Sequence, residues 1–291
     1  MKYLFKQTFR FIQNYFPAIA KYFYIRLFFI PLVRKITKRD KRFLSESKTY
    51  TIHLQSKKVR IYEFGEGKPV LFVHGWMGKA SQFHMLSKYY SSLGFKVICF
   101  DAPAHGMSGG FQTNIIEWTE LMKILQNSYG GFEFAIGHSF GALALIYANS
   151  LLNLTNNIVS ISAPPDSEFI LNEYSKDLGA NQDKAKSLIK FISKQFNFDL
   201  KELSMQELIG SQNLFVLLVH DIQDKVISYK YSQATYFNTN NTELILSEGN
   251  GHNRILYNQD IAQTINHHLN KRKELIQIPS AKSKTHKIYN P

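Results

Sequence analysis

Residues 134–148 read Phe-Ala-Ile, then Gly137-His138-Ser139-Phe140-Gly141, then Ala-Leu-Ala-Leu-Ile-Tyr-Ala. An apolar run on each side of this G-x-S-x-G pentapeptide predicts a strand, a sharp turn and a helix. On such a turn the Ser139 hydroxyl is lifted clear of the sheet, and the next backbone N–H is free to bind an oxyanion. Gly137 and Gly141 fit this prediction, because the turn presses the strand against the helix and leaves no room for a Cβ.

Residues able to activate such a serine lie further along the chain. Residues 214–219 form a continuous apolar run, typical of a strand buried on both faces, and Asp221 and Asp224 follow it. A second predicted strand, residues 243–247, leads to His252. A serine needs an imidazole to take its proton and a carboxylate to orient that imidazole. Because loops at the carboxyl ends of neighbouring parallel strands meet, this order predicts a catalytic triad with either aspartate as the acid.

Two more motifs give the chain a resemblance to the α/β-hydrolase superfamily over about residues 59–270. Val70-Leu71-Phe72-Val73-His74-Gly75-Trp76 is similar to the family's strand and its His-Gly oxyanion loop. Phe100-Asp101-Ala102-Pro103-Ala104-His105-Gly106-Met107-Ser108 resembles the next strand end, where D-x-x-x-x-G-x-S is common. The resemblance implies an α/β fold with a mostly parallel central sheet and helices on both faces. The chain's own pattern adds a small helical lid and an N-terminal helical arm to this expectation.

The resemblance also implies a role for each matching residue. Ser139 is expected to be the nucleophile and His252 the general base, and the backbone N–H groups of Trp76 and Phe140 are expected to form the oxyanion hole. The elbow and loop glycines are Gly75, Gly137 and Gly141. The family acid usually stands in a D-x-x-V context, which favours Asp224 and leaves Asp221 as the alternative acid.

Three other polar residues have simpler interpretations. Asp166 follows a further predicted strand and is expected to be a solvated loop aspartate. His74 and His105 are expected to hydrogen-bond the backbone of their loops, since polar groups in loops need partners.

The triad predicts a serine hydrolase that cleaves an ester or thioester through an acyl-enzyme intermediate. Amide or carbon–carbon bond hydrolysis by the same triad is an alternative, as is a non-catalytic binding protein on this fold. A serine at the elbow argues against the epoxide hydrolases and dehalogenases of the superfamily, whose nucleophile is a carboxylate. No strand is followed by G-x-G-x-x-G, and no H-x-x-x-H or C-x-x-C spacing occurs. We therefore expect no cofactor and no metal.

Three regions are predicted: a basic, aromatic helical arm and linker (residues 1–47), the hydrolase domain (residues 48–270) and a basic, mobile tail (residues 271–291). Residues 165–210 interrupt the alternation of strands and helices and should form the lid. Within them Leu188, Ile192 and Phe196 recur at helical spacing, with lysines on the other faces, which indicates an amphipathic helix. Its apolar stripe either packs on the core or roofs an acyl-binding pocket.

The net charge of +13 belongs to the two ends of the 291-residue chain. Residues 1–60 carry a net +13 and residues 271–291 a net +5, whereas residues 61–270 carry −5. A nucleic-acid partner for the body is therefore not expected. Cys99, the one cysteine, lies in an apolar strand and is expected to be a buried thiol, which fits a reducing, cytoplasmic location. The sequence carries no signal for the oligomeric state.

The N-terminal arm holds eleven aromatic residues within residues 1–33. Lys21 and Arg26 split its apolar run well short of the roughly 20 residues of a transmembrane helix, and no signal-peptide pattern occurs. One interpretation is one or two helices, broken near Pro17, that pack on the body. The other is a membrane-surface anchor, in which residues 1–42 bind anionic lipid at the inner face of the membrane.

Overall fold

The computed structural model describes residues 2–31 and 36–277. Its centre is an eight-stranded sheet with the strand order β1-β2-β4-β3-β5-β6-β7-β8. The strands are β1 Lys48–Leu54, β2 Lys57–Phe64, β3 Lys68–Val73, β4 Phe95–Phe100, β5 Ala135–His138, β6 Asn157–Ile161, β7 Phe215–Asp221 and β8 Thr242–Ser247. The pairs β1–β2 and β2–β4 are antiparallel, and the other pairs are parallel. The predicted mostly parallel α/β fold is confirmed.

Twelve α-helices surround the sheet within the described residues. They are α1 Lys2–Tyr15, α2 Pro17–Phe28, α3 Lys38–Glu46, α4 His84–Ser92, α5 Ile115–Tyr129, α6 Phe140–Leu152, α7 Ser167–Leu178, α8 Gln182–Phe196, α9 Met205–Gly210, α10 Lys230–Asn238, α11 Gly251–Arg254 and α12 Gln259–Gln277.

Helices cover both faces of the sheet, because successive side chains of a strand point to opposite faces. On one face Leu71 and Val73 of β3 belong to a core cluster that includes buried residues of α5 and α6. On the other face Val70 and Phe72 belong to a second cluster with residues of α4 and α12. The parallel strands are therefore buried on both sides, and the carboxyl ends of β3, β5 and β7 meet along one edge of the sheet.

The N-terminal arm consists of two helices that meet at Pro17, as the sequence predicts. Helix α1 packs on α7, and α2 packs on α8. The Tyr24 hydroxyl lies 2.6 Å from Ser175 Oγ, and the Tyr174 hydroxyl donates to the Tyr24 carbonyl at 2.6 Å. The arm is thus fixed to the helices between β6 and β7. In neither described range, 2–31 or 36–277, does any helix have the length and apolar character needed to cross a membrane.

Part of the predicted linker is a helix. Helix α3 begins after Thr37, whose hydroxyl accepts a hydrogen bond from the Asp40 N–H, while the Asp40 carboxylate accepts one from the Thr37 N–H. This reciprocal pair is a capping box, which stabilises the first turn of a helix. Asp40 also forms an ion pair with Lys79, so the helix is tied to the loop after β3.

The helices α7, α8 and α9 occupy the interval predicted as a lid, and Leu188 and Ile192 are buried on the inner face of α8. The terminal helix α12 runs seven residues past the predicted boundary at residue 270. It continues because Arg272 lies over the Phe215 ring, 4.2 Å from its centroid, and Lys273 Nζ lies 2.7 Å from a Glu133 carboxylate oxygen. The rest of the predicted mobile tail, residues 278–291, lies outside the described residues.

Candidate active site

Ser139 stands on a sharp turn between β5 and α6, as the sequence predicts. Its backbone has φ 54° and ψ −129°, a conformation that non-glycine residues adopt at a cost. The turn is held because the Ser139 N–H donates to the Ile161 carbonyl at 2.8 Å. A Cβ at Gly137 would lie 2.4 Å from Ala142 Cα, and one at Gly141 would lie 2.2 Å from the His74 carbonyl oxygen. Both glycines are thus required by close backbone packing.

His252 and Asp224 form a hydrogen-bonded pair at the ends of neighbouring strands. Asp224 follows β7, and His252 lies in α11, after β8. The Nδ1 atom of His252 lies 2.7 Å from Asp224 Oδ2. The Asp224 side chain is fully buried, and that of His252 is 10% exposed. This geometry leaves the Nε2 atom of His252 available for proton transfer.

The carboxylate of Asp224 is held in its ionised form. Burial opposes ionisation, but hydrogen bonds from His220, His252 and the Ile227 N–H outweigh it and keep the pKa of Asp224 well below its usual range. Asp224 Oδ1 accepts from the N–H groups of Val226 and Ile227 at 2.8 and 3.0 Å. An ionised, oriented carboxylate fixes the tautomer of the imidazole and stabilises its protonated form.

The alternative acid, Asp221, has a different set of partners. Its carboxylate is buried and accepts from Gln223 N–H at 3.0 Å, Ser247 hydroxyl at 2.8 Å and Asn250 N–H at 2.9 Å. Despite burial, these hydrogen bonds and one from the Gly251 N–H lower its pKa. Asp221 therefore joins the loops after β7 and β8, and its oxygens are occupied by donors other than His252.

The loop after β3 lies against the elbow, where a Cβ at Gly75 would be 3.0 Å from Ser139 Cβ. Phe140 is the first residue of α6, where a backbone N–H has no intrahelical acceptor. Within residues 2–31 and 36–277, neither its N–H nor that of Trp76 donates to another backbone group. The two amides predicted for an oxyanion hole are therefore not committed to another backbone acceptor in that part of the chain.

Two neutral histidines hold this loop, as the sequence predicts. His74 Nε2 accepts from the Ala102 N–H at 3.0 Å, and His105 Nε2 accepts from the Met77 N–H at 3.1 Å. Burial lowers the pKa of His74 to about 4 and that of His105 to about 3. Buried Asp101 completes the support, because it accepts from the Ala80 N–H at 2.8 Å and the Met107 N–H at 2.7 Å.

Aromatic rings form an apolar wall beside these amides. The Trp76 and Trp118 rings stack with their centroids 6.4 Å apart, and the Phe140 ring meets each of them edge-on at 5.5 and 5.2 Å. Such a wall excludes water and strengthens electrostatic interactions at the serine.

Two histidines that the sequence analysis did not assign take part in the site. His138, the residue before Ser139, makes a 2.8 Å hydrogen bond through Nε2 to the His252 carbonyl oxygen, and the two rings lie 4.9 Å apart. Burial lowers the pKa of His138 to about 3. His220 Nε2 lies 3.3 Å from Asp224 Oδ2. The position of His220, four residues before Asp224, is the one sequence signal for its contact with this carboxylate.

Asp166 is not simply solvated: it caps α7, since its carboxylate accepts from the Phe169 N–H at 2.7 Å. Cys99 is fully buried, and burial raises the pKa of its thiol to about 12.

His252 bonds through Nδ1 and its carbonyl oxygen, and among the described residues no hydrogen bond joins its ring to the Ser139 hydroxyl.

Comparison with known proteins shows the family. A family model for the alpha/beta hydrolase fold matches residues 68–269. The chain therefore belongs to the α/β-hydrolase family, and one edge of its sheet carries a serine elbow with a histidine–aspartate pair nearby.

Individual relatives are more distant. The sn-1-specific diacylglycerol lipase ABHD11 of Danio rerio is 32% identical over 105 residues, which cover 35% of this chain and 33% of that protein. The chain thus matches about a third of that relative's length. The Pyrococcus furiosus esterase Pf2001 superposes with a TM-score of 0.60 at 21% identity, covering 83% of this chain and 95% of that one. A bacterial membrane phospholipase A gives a TM-score of 0.61 at 11% identity, covering 80% and 89%. These two likenesses show the fold alone.

Proposed function

We propose that this protein is a serine hydrolase that cleaves an ester or thioester through an acyl-enzyme intermediate. The observation that carries the proposal is the 2.7 Å pair of His252 Nδ1 and buried Asp224 Oδ2, at the sheet edge where Ser139 stands on a strained turn. The relative named as a diacylglycerol lipase supports an acyl ester as substrate.

The reaction has two halves, acylation of Ser139 and hydrolysis of the acyl-enzyme, and the same groups act in both. Ser139 Oγ attacks the substrate carbonyl carbon, and His252 Nε2 takes the hydroxyl proton. The carbonyl oxygen becomes an oxyanion, bound by the N–H groups of Trp76 and Phe140, each donor contributing about 3 kcal/mol to its stabilisation. The bond to the leaving alcohol or thiol breaks as His252 returns the proton to it. His252 then takes a proton from water, and the oxygen of that water attacks the acyl carbonyl carbon. The bond to Ser139 Oγ breaks as His252 returns the proton to Oγ, which releases the acid.

The serine–histidine hydrogen bond is completed in this scheme when substrate binds. Catalytic hydrogen bonds are often long in free enzymes and shorten in the substrate complex. The two backbone N–H groups on Asp224 Oδ1 and the His138–His252 contact keep the imidazole in place until then.

Labelling with a fluorophosphonate probe tests the proposal. We expect the folded wild type to label and Ser139→Ala not to label, while both unfold at similar denaturant concentrations. A series of p-nitrophenyl esters of increasing chain length then measures the size of the acyl site. A folded wild-type protein that neither labels nor hydrolyses any ester would overturn the proposal and favour a binding protein on this fold.

We also propose that the arm holds the enzyme at an anionic membrane surface on the cytoplasmic side. The inward face of the arm is buried against the body, whereas six large side chains on the outward face are about half exposed or more: Phe11, Tyr15, Phe16, Ile19, Tyr22 and Phe23. Their spacing places them along one side of α1 and α2. Exposed aromatics with basic residues nearby are typical of a helix that lies in the membrane interface.

The charge distribution supports the same proposal. Of the net +13 in residues 1–60, the arm and linker (residues 1–47) carry +9, whereas residues 61–270 carry −5. Basic residues near an anionic surface each contribute about 1 kcal/mol of attraction. The basic arm is therefore the part of the chain that would face lipid headgroups.

A further inference from the structure

The turn that follows Trp76 in the loop after β3 is strained. Met77 has φ 57°, in the left-handed region that a non-glycine residue adopts at a cost. At the next residue, Gly78, a Cβ would lie 2.7 Å from the Gly75 carbonyl oxygen, so the turn is also tightly wound. Strained backbone persists only where its neighbours hold it in place. The position of the Trp76 N–H, the proposed oxyanion donor, therefore depends on the groups that hold residues 75–81.

One side of this loop is held by residues that follow β4. His105 Nε2 accepts from the Met77 N–H at 3.1 Å, and Asp101 Oδ1 accepts from the Ala80 N–H at 2.8 Å. His105 and Asp101 both lie within residues 68–269, the region that matches the family model. This support therefore belongs to the hydrolase domain itself.

The other side of the loop is held by Asp40 of α3, a helix outside the matched region. Asp40 is 6% exposed. Its Oδ2 atom lies 2.5 Å from Lys79 Nζ, and its Oδ1 atom accepts from the Ser81 hydroxyl. One buried carboxylate thus bonds two side chains of the loop, three and five residues after Trp76.

The Asp40 carboxylate is ionised and fixed in place. Burial opposes its ionisation, but hydrogen bonds from Lys79, Ser81 and Thr37 outweigh it and lower the pKa of Asp40. The N–H and the hydroxyl of Thr37 donate to Oδ2 at 2.5 and 2.8 Å. Hydrogen bonds to a charged group are among the stronger ones in proteins.

Helix α3 is in turn fixed to the sheet by Phe43, one turn after Asp40. Phe43 is 1% exposed, and its ring centroid lies 5.1 Å from that of Tyr62 and 5.0 Å from that of Phe64, both in β2. Since this packing holds the helix, the Asp40 carboxylate is a rigid support for the loop.

We propose that Asp40 is a positioning residue for the oxyanion hole: by holding Lys79 and Ser81, it keeps the Trp76 N–H in place to bind the oxyanion. A donor that is already in place stabilises the transition state without reorganisation. Asp40 acts only through the loop and touches no reacting atom. The proposal rests on the proposed hydrolysis by Ser139, and it gives α3 a role in turnover as well as in attachment.

Kinetics of Asp40→Asn with p-nitrophenyl esters test the proposal. Asparagine keeps the shape of the side chain but loses the charge that pairs with Lys79. Because an oxyanion donor acts mainly in the transition state, we expect kcat to fall about tenfold or more and KM to change less than about twofold. An alkylboronic acid, which forms an anionic tetrahedral adduct with an active-site serine, should bind more weakly by about the factor lost in kcat/KM.

Ser81→Ala is the second variant, because it removes one hydrogen bond to Asp40 without leaving a buried charge unpaired. It should show the same pattern, with a loss in kcat of about threefold. Urea unfolding of both variants shows that they are folded under the assay conditions. A merely structural role would lower the stability without lowering kcat and boronate affinity together.

Glu46→Gln is the matched control, since it removes the same charge from the same helix. Among the described residues the ion-pair partners of Glu46 are Arg42, His84 and Lys88, all outside residues 75–81. This variant should keep kcat within about twofold of the wild type.

Two failures are distinguished by the activity of the wild type. If the wild type hydrolyses esters, equal kcat values for Asp40→Asn and Glu46→Gln would overturn this proposal alone, as would a loss in Asp40→Asn that lies only in KM. A folded wild type that neither labels with a fluorophosphonate nor hydrolyses any ester would overturn the proposed hydrolysis and this proposal with it.

Discussion

His220 Nε2 lies 3.3 Å from Asp224 Oδ2, the same oxygen that His252 Nδ1 meets at 2.7 Å. His220 is fully buried, and its Nδ1 atom is 2.7 Å from the Ser232 hydroxyl. His220 Nε2 also lies 2.9 Å from the Ile227 carbonyl oxygen, so one carboxylate oxygen of Asp224 pairs with His252 and has the His220 ring beside it, while the other oxygen receives two backbone N–H groups. The orientation of Asp224 is therefore determined by four neighbours rather than by His252 alone.

Asp224→Asn should abolish most activity without unfolding the protein. An amide in this place can present a donor to the imidazole and favours the wrong tautomer, so we expect kcat to fall by about 10⁴-fold. Asp221→Asn should instead lower the free energy of unfolding by about 1–3 kcal/mol, because the buried Asp221 carboxylate accepts hydrogen bonds from several donors. Ester turnover and urea unfolding of the two variants measure both effects. The assignment of the acid is wrong if Asp221→Asn shows the larger loss of kcat.

Ser139→Gly should be more stable than Ser139→Ala. With φ 54° and ψ −129° at this position, a side chain costs about 1–3 kcal/mol that glycine avoids, whereas glycine loses about 0.5–1 kcal/mol through the flexibility of the unfolded chain. We expect a net gain of about 1 kcal/mol in the free energy of unfolding. Both variants lack the nucleophile, so urea unfolding compares the backbone effect alone. Greater stability of the alanine variant would mean that the turn is not strained.

Stability should decline as the pH falls below about 6.5. Burial lowers the pKa of His74 to about 4 and that of His105 and His138 to about 3, from 6.5. At a pH between the folded and the unfolded pKa of these histidines, unfolding takes up protons. Their neutral, buried state therefore costs no stability above pH 6.5, and the free energy of unfolding decreases as the pH falls from 6.5 towards 4. Each histidine contributes a slope of up to about 1.4 kcal/mol per pH unit. Urea unfolding at several pH values between about 7.5 and 5 measures the slope.

A matched variant separates the histidines from other groups. His105→Asn removes one of the three titrating rings and should reduce the slope by about a third. The carboxylates with lowered pKa, such as Asp224, also favour the folded state, but their contribution is lost only below their unfolded value near 4. An unchanged slope in His105→Asn would show that this ring does not gain a proton on unfolding.

The combined variant Phe16→Ser, Tyr22→Ser, Phe23→Ser should bind anionic vesicles at least tenfold more weakly than the wild type. Removal of a ring that is fully buried in lipid would cost about 1.5–3 kcal/mol of binding free energy. Three partly buried rings together still contribute enough for a tenfold change in binding. Co-sedimentation with phosphatidylserine-containing vesicles measures the binding. Phe237→Ser is the control, since Phe237 is 72% exposed on α10, which is not part of the arm. Equal binding by both variants would contradict the proposed membrane role of the arm.

Much of the fold was predictable because the signals are local. The apolar run before Gly137 and the helix after Gly141 define the elbow, and the continuous apolar run of β7 identifies a buried strand. Asp221 and Asp224 could not be separated by spacing alone, because both follow the same apolar run of residues 214–219. Only the fold shows that Asp221 Oδ2 receives Ser247 and Asn250 while Asp224 Oδ2 receives His252.

The remaining features depend on contacts between distant parts of the chain. The basic composition around Thr37 favoured a linker, whereas the structure forms α3 there; the Thr37-x-x-Asp40 spacing was the available signal. The break at Pro17 indicated two helices in the arm, but no sequence signal identified α7 and α8 as their partners. The contact of Tyr24 with Ser175 spans 151 residues and has no sequence signature.

The burial of Cys99 has a practical consequence. A thiol is modified through its thiolate, and Cys99 is fully buried with its pKa raised to about 12. Maleimide and nitroxide reagents should therefore not label the native protein. Cys99 need not be replaced before a cysteine is introduced for labelling. One cysteine introduced at Tyr22 would carry a single spin label on the aromatic face, and one at Phe237 a reference label in water. The accessibility of the two labels to oxygen and to a nickel chelate would give the immersion depth of the arm directly.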